Sequence, residues 1–179
     1  VPLDEVARRS DIVTFHTPLT VGGEDNTFHL ADGQFFSLLR PDTVVLNASR
    51  GEVVDSGALS ASGHGYIFDA WEGEPFVDPS LVRGALLATP HIAGYSVQGK
   101  AVAVAVSVDA LASAFGLPLR GWYPPEVSPP PAPRLIGWDE LRATIGEYFD
   151  IEALSRRLKA SPENFEAMRN GYEYRHEYF

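Results

Sequence analysis

Four short apolar runs, Ile12-Val13-Thr14-Phe15, Val44-Val45-Leu46, Tyr66-Ile67-Phe68 and Leu86-Leu87-Ala88, set the fold of this chain. They are too short for helices, mostly β-branched or aromatic, and separated by segments with helical start and stop signals. That combination predicts parallel strands of one sheet joined by crossovers. Each run ends in a polar cluster: His16-Thr17-Pro18, Asn47-Ala48-Ser49-Arg50-Gly51, Asp69-Ala70-Trp71-Glu72-Gly73-Glu74-Pro75 and Thr89-Pro90-His91-Ile92-Ala93-Gly94-Tyr95. In a parallel sheet all four clusters emerge at one carboxyl edge, where open α/β sheets bind ligands. An Arg, an acid and a His meeting there predict an active site.

The crossovers are short. Pro2 to Arg9 reads as a helix with Pro at its start, and Ala31 to Leu39 as one that stops before Pro41. Asp55 is a candidate cap, but Gly57, Gly63 and Gly65 leave the helix after it about two turns, so it is expected to be poorly formed. Pro79 to Gly84 gives another short helical turn. Ser96 to Phe115 is the longest helical candidate, ending at Gly116; apolar nearly all round, it is expected to be buried between two bodies.

Gly116 to Pro133 carries seven of the fourteen prolines, including Pro129-Pro130-Pro131, and reads as a stiff linker. Beyond it Asp139 to Tyr148, Ile151 to Lys159 and Pro162 to Asn170 read as short helices, the third capped by Ser161. The expected domains are 1–95, a domain of alternating strands and helices; 96–116, an interdomain helix; 117–136, the linker; and 137–179, a helical C-terminal domain.

Composition narrows the chemistry. Twenty-four acids against fourteen Lys and Arg give a formal charge of -10, which disfavours nucleic acid and anionic lipid as partners. An anionic substrate must then be met by a local cation. No cysteine is present, which removes disulfides and thiolate metal sites and is compatible with a reducing cytosol. No uninterrupted apolar stretch reaches the roughly 18 to 20 residues of a membrane helix, and no charged-then-apolar leader is visible. A cytoplasmic protein is expected.

Arg50 follows a buried strand and precedes a Gly that permits a sharp turn, so its planar fork is a candidate for a carboxylate or keto oxygen; a lone Arg elsewhere is usually a solvated charge. His91, also at a strand exit, is a candidate proton donor and acceptor, whereas His29, His64 and His176 read as packed or surface residues. Glu74, between Gly73 and Pro75, is placed to hydrogen-bond that imidazole and fix its tautomer. Glu72 reads as a loop salt bridge. Asp69 reads equally as a turn or capping acid and as an acceptor for a cofactor amide. The histidines show no metal-ligand spacing, so no metal is expected, and Ser49 and Ser96 lack a nucleophile elbow.

Together the motifs His-Thr-Pro-Leu, Leu-Asn-Ala-Ser-Arg-Gly-Glu-Val-Val-Asp, Asp-Ala-Trp-Glu-Gly-Glu-Pro and Thr-Pro-His-Ile-Ala-Gly-Tyr-Ser resemble, in order, the second half of the nucleotide-binding domain of NAD-dependent D-2-hydroxyacid dehydrogenases. Two features narrow the resemblance to the branch that oxidises 4-phospho-D-erythronate on the route to vitamin B6. One is Gly-Tyr-Ser-x-x-Gly-Lys at 94–100; the other is the tail Phe165 to Phe179, similar to a Phe-x-x-x-Arg-x-x-Tyr-x-x-Arg stretch of that branch's dimerisation domain.

The resemblance implies an α/β fold, the second half of a doubly wound parallel (Rossmann-like) sheet, followed by a small mainly helical C-terminal dimerisation segment. It implies NAD as cofactor, a phosphorylated 2-hydroxy acid as substrate and a homodimer through the C-terminal domain. Arg50, Glu74 and His91 would form the catalytic set, Thr17, Asp69 and Gly94 would touch the cofactor, and Tyr95 the substrate.

Departures accompany the matches. The Gly-x-Gly-x-x-Gly turn and the ribose-binding acid after it are absent, the crossover between Asp55 and Tyr66 is about a turn shorter than usual, and the tail stops early. The chain therefore reads as a fragment, expected to bind cofactor weakly. The rival readings are a phosphoglycerate or hydroxypyruvate dehydrogenase, and a non-catalytic nucleotide-sensing or dimerisation module.

Overall fold

In the computed structural model, which describes residues 1–129, 132 and 135–177, the four apolar runs form one parallel sheet. Pro130 and Pro131 of the proline run, Pro133, Arg134 and the terminal Tyr178 and Phe179 lie outside the described residues. The strands are β1 (Ile12–Phe15), β2 (Val44–Asn47), β3 (Gly65–Phe68) and β4 (Leu87–Ala88), ordered β1-β2-β3-β4. Their register aligns Phe15 with Asn47, Asn47 with Phe68 and Phe68 with Ala88, so every chain exit lies at the same edge.

Helices α1 (Leu3–Arg9), α2 (Gly33–Leu38), α3 (Ser56–Ser62) and α4 (Pro79–Gly84) accompany the strands. Two differ from the sequence expectation. Ala31 does not join α2, because its backbone bridges Val54 and exchanges hydrogen bonds with Val53 and Asp55; Asp32 instead caps the helix by accepting the Phe35 N–H at 2.9 Å. α3, expected to be poorly formed, is a regular seven-residue helix. Asp55 accepts the Ala58 N–H at 2.9 Å and Gly63 ends the helix at φ 73°, and these two caps offset the cost of Gly57.

Val13 and Phe15, Val45 and Asn47, and Tyr66 and Phe68 are buried alternately along their strands. Burial on one face is thus complete and on the other partial, less than the two-sided burial that continuous apolar runs suggest. Phe35 from α2 meets Phe15 with ring centroids 5.7 Å apart, and Val53, Val54, Leu59 and Val82 fill the same core.

The chain divides into two compact units, residues 1–93 with 151–172, and residues 94–150 with 173–179. This division differs from the expected boundary at 137. Helices α7 (Ile151–Ala160) and α8 (Phe165–Asn170) pack with the sheet. Leu158 and Phe165 are fully buried in the sheet's own core, and the Ser155 hydroxyl accepts the N–H of Ala88 at 3.0 Å. The physical reason lies in β4, a two-residue edge strand whose open backbone needs partners.

The second unit holds α5 (Val97–Phe115) and α6 (Trp138–Tyr148). Ser96 caps α5 by accepting the Gly99 N–H at 3.0 Å, and Gly116 closes it at φ 65°. The expected burial of this helix is not found in the chain: only Gln98, Ala101 and Ala112 are buried, while Val106, Leu111 and Phe115 are exposed. By length and composition alone α5 is apolar enough to cross a membrane, although Lys100 and Asp109 interrupt it. Both charges are engaged, Lys100 over the Tyr95 ring at 4.4 Å and Asp109 accepting the Gly121 N–H at 2.9 Å.

Candidate active site

The carboxyl rim of the sheet brings Glu74 and His91 together. Glu74 Oε2 accepts from His91 Nδ1 at 2.7 Å, with both side chains mostly buried. Three local devices fix this pair. Trp71, buried after β3, donates its backbone N–H to Glu74 Oε1 at 2.8 Å and its indole N–H to the Thr89 carbonyl at 2.9 Å, tying the loop after β3 to the end of β4.

Asp69 then builds the turn that carries His91. Its carbonyl accepts the His91 N–H at 2.8 Å, and its carboxylate accepts from the Thr89 hydroxyl at 2.6 Å and from the Ile92 and Ala93 N–H groups at 2.8 and 2.9 Å. Those donors hold His91 at φ 55°, a left-handed conformation that is unusual for a residue with a side chain. Of the two roles open to Asp69 in the sequence, the geometry shows the turn acid.

Arg50 lies three residues beyond β2, exposed, with its guanidinium donating to the Ser49 carbonyl at 2.8 Å. Asn47, buried at the strand end, accepts from the Ser49 N–H and donates to the Arg50 carbonyl at 2.8 Å, which shapes the loop. Gly51 lies so close to the Trp71 carbonyl that a Cβ would fall 1.9 Å from its carbon. The Arg50 loop therefore abuts the loop that carries Glu74.

Thr17, two residues past β1, has a buried Oγ1 with no hydrogen-bond partner among the described residues. An orphaned buried hydroxyl at a ligand-binding edge fits a polar group of a bound cofactor. Gly94 and Tyr95 open the second unit. There the Tyr95 carbonyl accepts from Arg175 at 3.1 Å, and the Tyr95 ring lies 5.1 Å from that of Tyr174.

Sequence reading did not single out Trp71, although it sits inside a quoted motif. Nor did it give a site role to Arg169, the first Arg of the quoted Phe-x-x-x-Arg stretch, whose Nη1 lies 3.6 Å from Glu74 Oε2. No local spacing links positions 74 and 169.

Glu72 is bonded as a loop acid. Its Oε1 meets His29 Nε2 at 2.6 Å and its Oε2 accepts the Ser56 N–H at 3.1 Å, while Asp55 lies 3.6 Å from His29 Nδ1. Burial alone would push the Glu72 carboxyl up, but hydrogen bonds from His29 and Ser56 outweigh it and hold the group below its ordinary 4.5. A carboxyl held down contributes stability that is present above the ordinary value and lost as pH falls through the folded one. Wild type is therefore expected to lose its stability advantage over Glu72→Gln below about pH 4.5. Urea titrations across that range check this; an advantage that stays constant with pH would refute it.

Residues 1–93 match the family described as D-isomer specific 2-hydroxyacid dehydrogenase, NAD binding domain. The chain belongs to this family. It is 43% identical over 182 residues to an erythronate-4-phosphate dehydrogenase of Bacteroides thetaiotaomicron, covering 98% of this chain and 51% of that one. A Bacteroides fragilis protein of the same name is 38% identical, again with 98% and 51% covered. The chain thus spans about half the length of the curated relatives it matches. The solved NAD-dependent formate dehydrogenase of Staphylococcus aureus in complex with NAD superposes with a TM-score of 0.51 at 25% identity, covering 68% of this chain and 38% of that one. The family places the Arg50, Glu74 and His91 rim in an NAD-binding domain of a dehydrogenase.

Proposed function

We propose that the full-length gene product oxidises the 2-hydroxyl of 4-phospho-D-erythronate to the 2-oxo acid with NAD, in the formation of vitamin B6, and acts in the cytoplasm. The observation that carries the chemistry is the 2.7 Å contact between Glu74 Oε2 and His91 Nδ1. With Nδ1–H donated to the carboxylate, the ring's other nitrogen, Nε2, carries the lone pair and can take the hydroxyl proton. Glu74 also stabilises the imidazolium that results.

Oxidation removes a proton from the hydroxyl and a hydride from C2. NAD, when bound, supplies the hydride acceptor. Arg50 binds the substrate carboxylate through its planar fork, orienting C2 at the rim. Thr17 offers its orphaned hydroxyl to the cofactor, and Gly94 completes the cofactor contacts. Tyr95 contacts the substrate. The choice of the phosphorylated four-carbon acid is supported by relatives that share 43% and 38% identity with nearly the whole chain and carry that substrate in their names.

A homodimer through the helical part of the chain belongs to the same proposal, supported by the exposed Leu135 and Trp138. In NADH-formation assays of the full-length gene product, 4-phospho-D-erythronate is expected to exceed 3-phosphoglycerate in kcat/KM by at least about a hundredfold, since a site built around one substrate's polar groups rejects another that leaves them unpaired. Preference for 3-phosphoglycerate would overturn the substrate assignment, and no oxidation of any 2-hydroxy acid would overturn the reaction.

A further inference from the structure

We propose that Arg169, in the last turn of α8, is a positioning residue for this reaction, holding the Glu74 carboxylate on His91. The inference deepens the proposed function and rests on its assignment of His91 as proton acceptor. Glu74 has two oxygens and three neighbours. Oε1 is fixed by the Trp71 N–H, while Oε2 receives His91 and stands 3.6 Å from the Arg169 guanidinium. At that distance Arg169 acts as a counter-charge rather than a hydrogen-bond donor. A mostly buried carboxylate that must stay ionised and aimed at one imidazole is stabilised by such a cation.

The packing beneath explains how a residue 95 positions away along the chain reaches this point. The edge strand β4 leaves backbone groups open, and α7 closes them: Ser155 accepts from Ala88, and the Lys159 ammonium donates to the carbonyls of Ala85 and Leu86. Phe165, fully buried, then anchors the start of α8 in the same core. With both ends of the segment fixed, Arg169 and Glu74 line one polar cavity of about 220 Å³ together with Pro75, Phe165, Glu166 and Asn170. Glu166 is the other acid on that cavity, and the ion-pair contact of Arg169 is with Glu74.

The test is a double-mutant cycle in the full-length gene product. Arg169→Gln is expected to lower kcat about five- to tenfold with KM for NAD unchanged, a size set by an ion pair that is one-third exposed on the Arg side. Arg169→Lys, which keeps the charge, is expected to recover most of that loss. In a Glu74→Gln background the Arg169→Gln change is expected to cost less than about twofold, because its target is gone. The low-field proton of His91 Nδ1, read by NMR, is expected to weaken in Arg169→Gln and persist in Arg169→Lys.

Additive losses in the cycle, or an unchanged Nδ1 proton in Arg169→Gln, would overturn the role of Arg169. If Arg169→Gln fails to fold, Arg169→Met, which keeps the apolar stem and removes the charge, takes its place in the cycle with Glu74→Gln. A wild-type protein that oxidises no 2-hydroxy acid would instead sink the proposed function, and the Nδ1 signal would still report whether Arg169 holds Glu74.

Discussion

His91→Ala is expected to lower kcat/KM for the 2-hydroxy acid by about a hundred- to ten-thousandfold, the range for losing a positioned general base. The expected cause is specific: Nδ1 is tied to Glu74 at 2.7 Å, so the imidazole can serve only through its other nitrogen. Cofactor binding should change little, since no cofactor contact is assigned to His91. The backbone must be separated from the base in this experiment, because His91 sits at φ 55° and Ala tolerates that conformation poorly. Asn visits left-handed backbone far more readily, so His91→Asn should lose the same activity while keeping the wild-type melting temperature within a few degrees. Steady-state kinetics with a pH series checks the assignment. Oxidation that survives in either variant with an unchanged pH profile would refute proton transfer by His91.

The parallel sheet was legible because its signal is local. Each run of three or four apolar residues ends at a polar cluster, and β-branched residues such as Val44 and Val45 leave little alternative to a strand. The Glu74 and His91 pairing was legible for a related reason, since two neighbouring strands must deliver their exits to one rim. What holds that pair was not. Asp69 could be read as a cofactor acceptor or as a turn acid until its three backbone and hydroxyl donors were placed.

The helices after the linker show the limit most clearly. Ile151, Leu154, Ser155 and Leu158 lie at helical spacing and predict one buried face of α7. Their spacing says nothing about which surface that face meets. The answer depends on β4 being a short edge strand whose Ala88 N–H turns away from the sheet to Ser155, a fact set by tertiary pairing. The approach of Arg169 to Glu74 follows from that docking and could not be read before it, although the residue itself stands in the quoted Phe-x-x-x-Arg stretch.

Gly51→Ala is the second large effect, expected to destabilise the fold by about 3 kcal/mol or more. The new Cβ would lie 1.9 Å from the Trp71 carbonyl carbon, 2.0 Å from its oxygen and 2.3 Å from the Glu72 nitrogen. All three are backbone atoms, so no rotamer change relieves the overlap. Either the Arg50 loop or the Trp71 to Glu74 loop must move. The second holds Glu72 against His29 and Ser56, and Glu74 against His91, so displacement strains hydrogen bonds at both places. Stability and catalysis should therefore fall together, with kcat reduced even at temperatures where the variant stays folded. Gly33→Ala is the matched control. A Cβ there meets nothing within 4 Å in an ordinary helical conformation, and Ala is expected to be neutral or to stabilise by about 0.5 to 1 kcal/mol. Thermal and urea unfolding of the two variants decide the matter. If Gly51→Ala is as stable as Gly33→Ala, the close approach of the Arg50 loop to the loop that carries Glu74 is wrong.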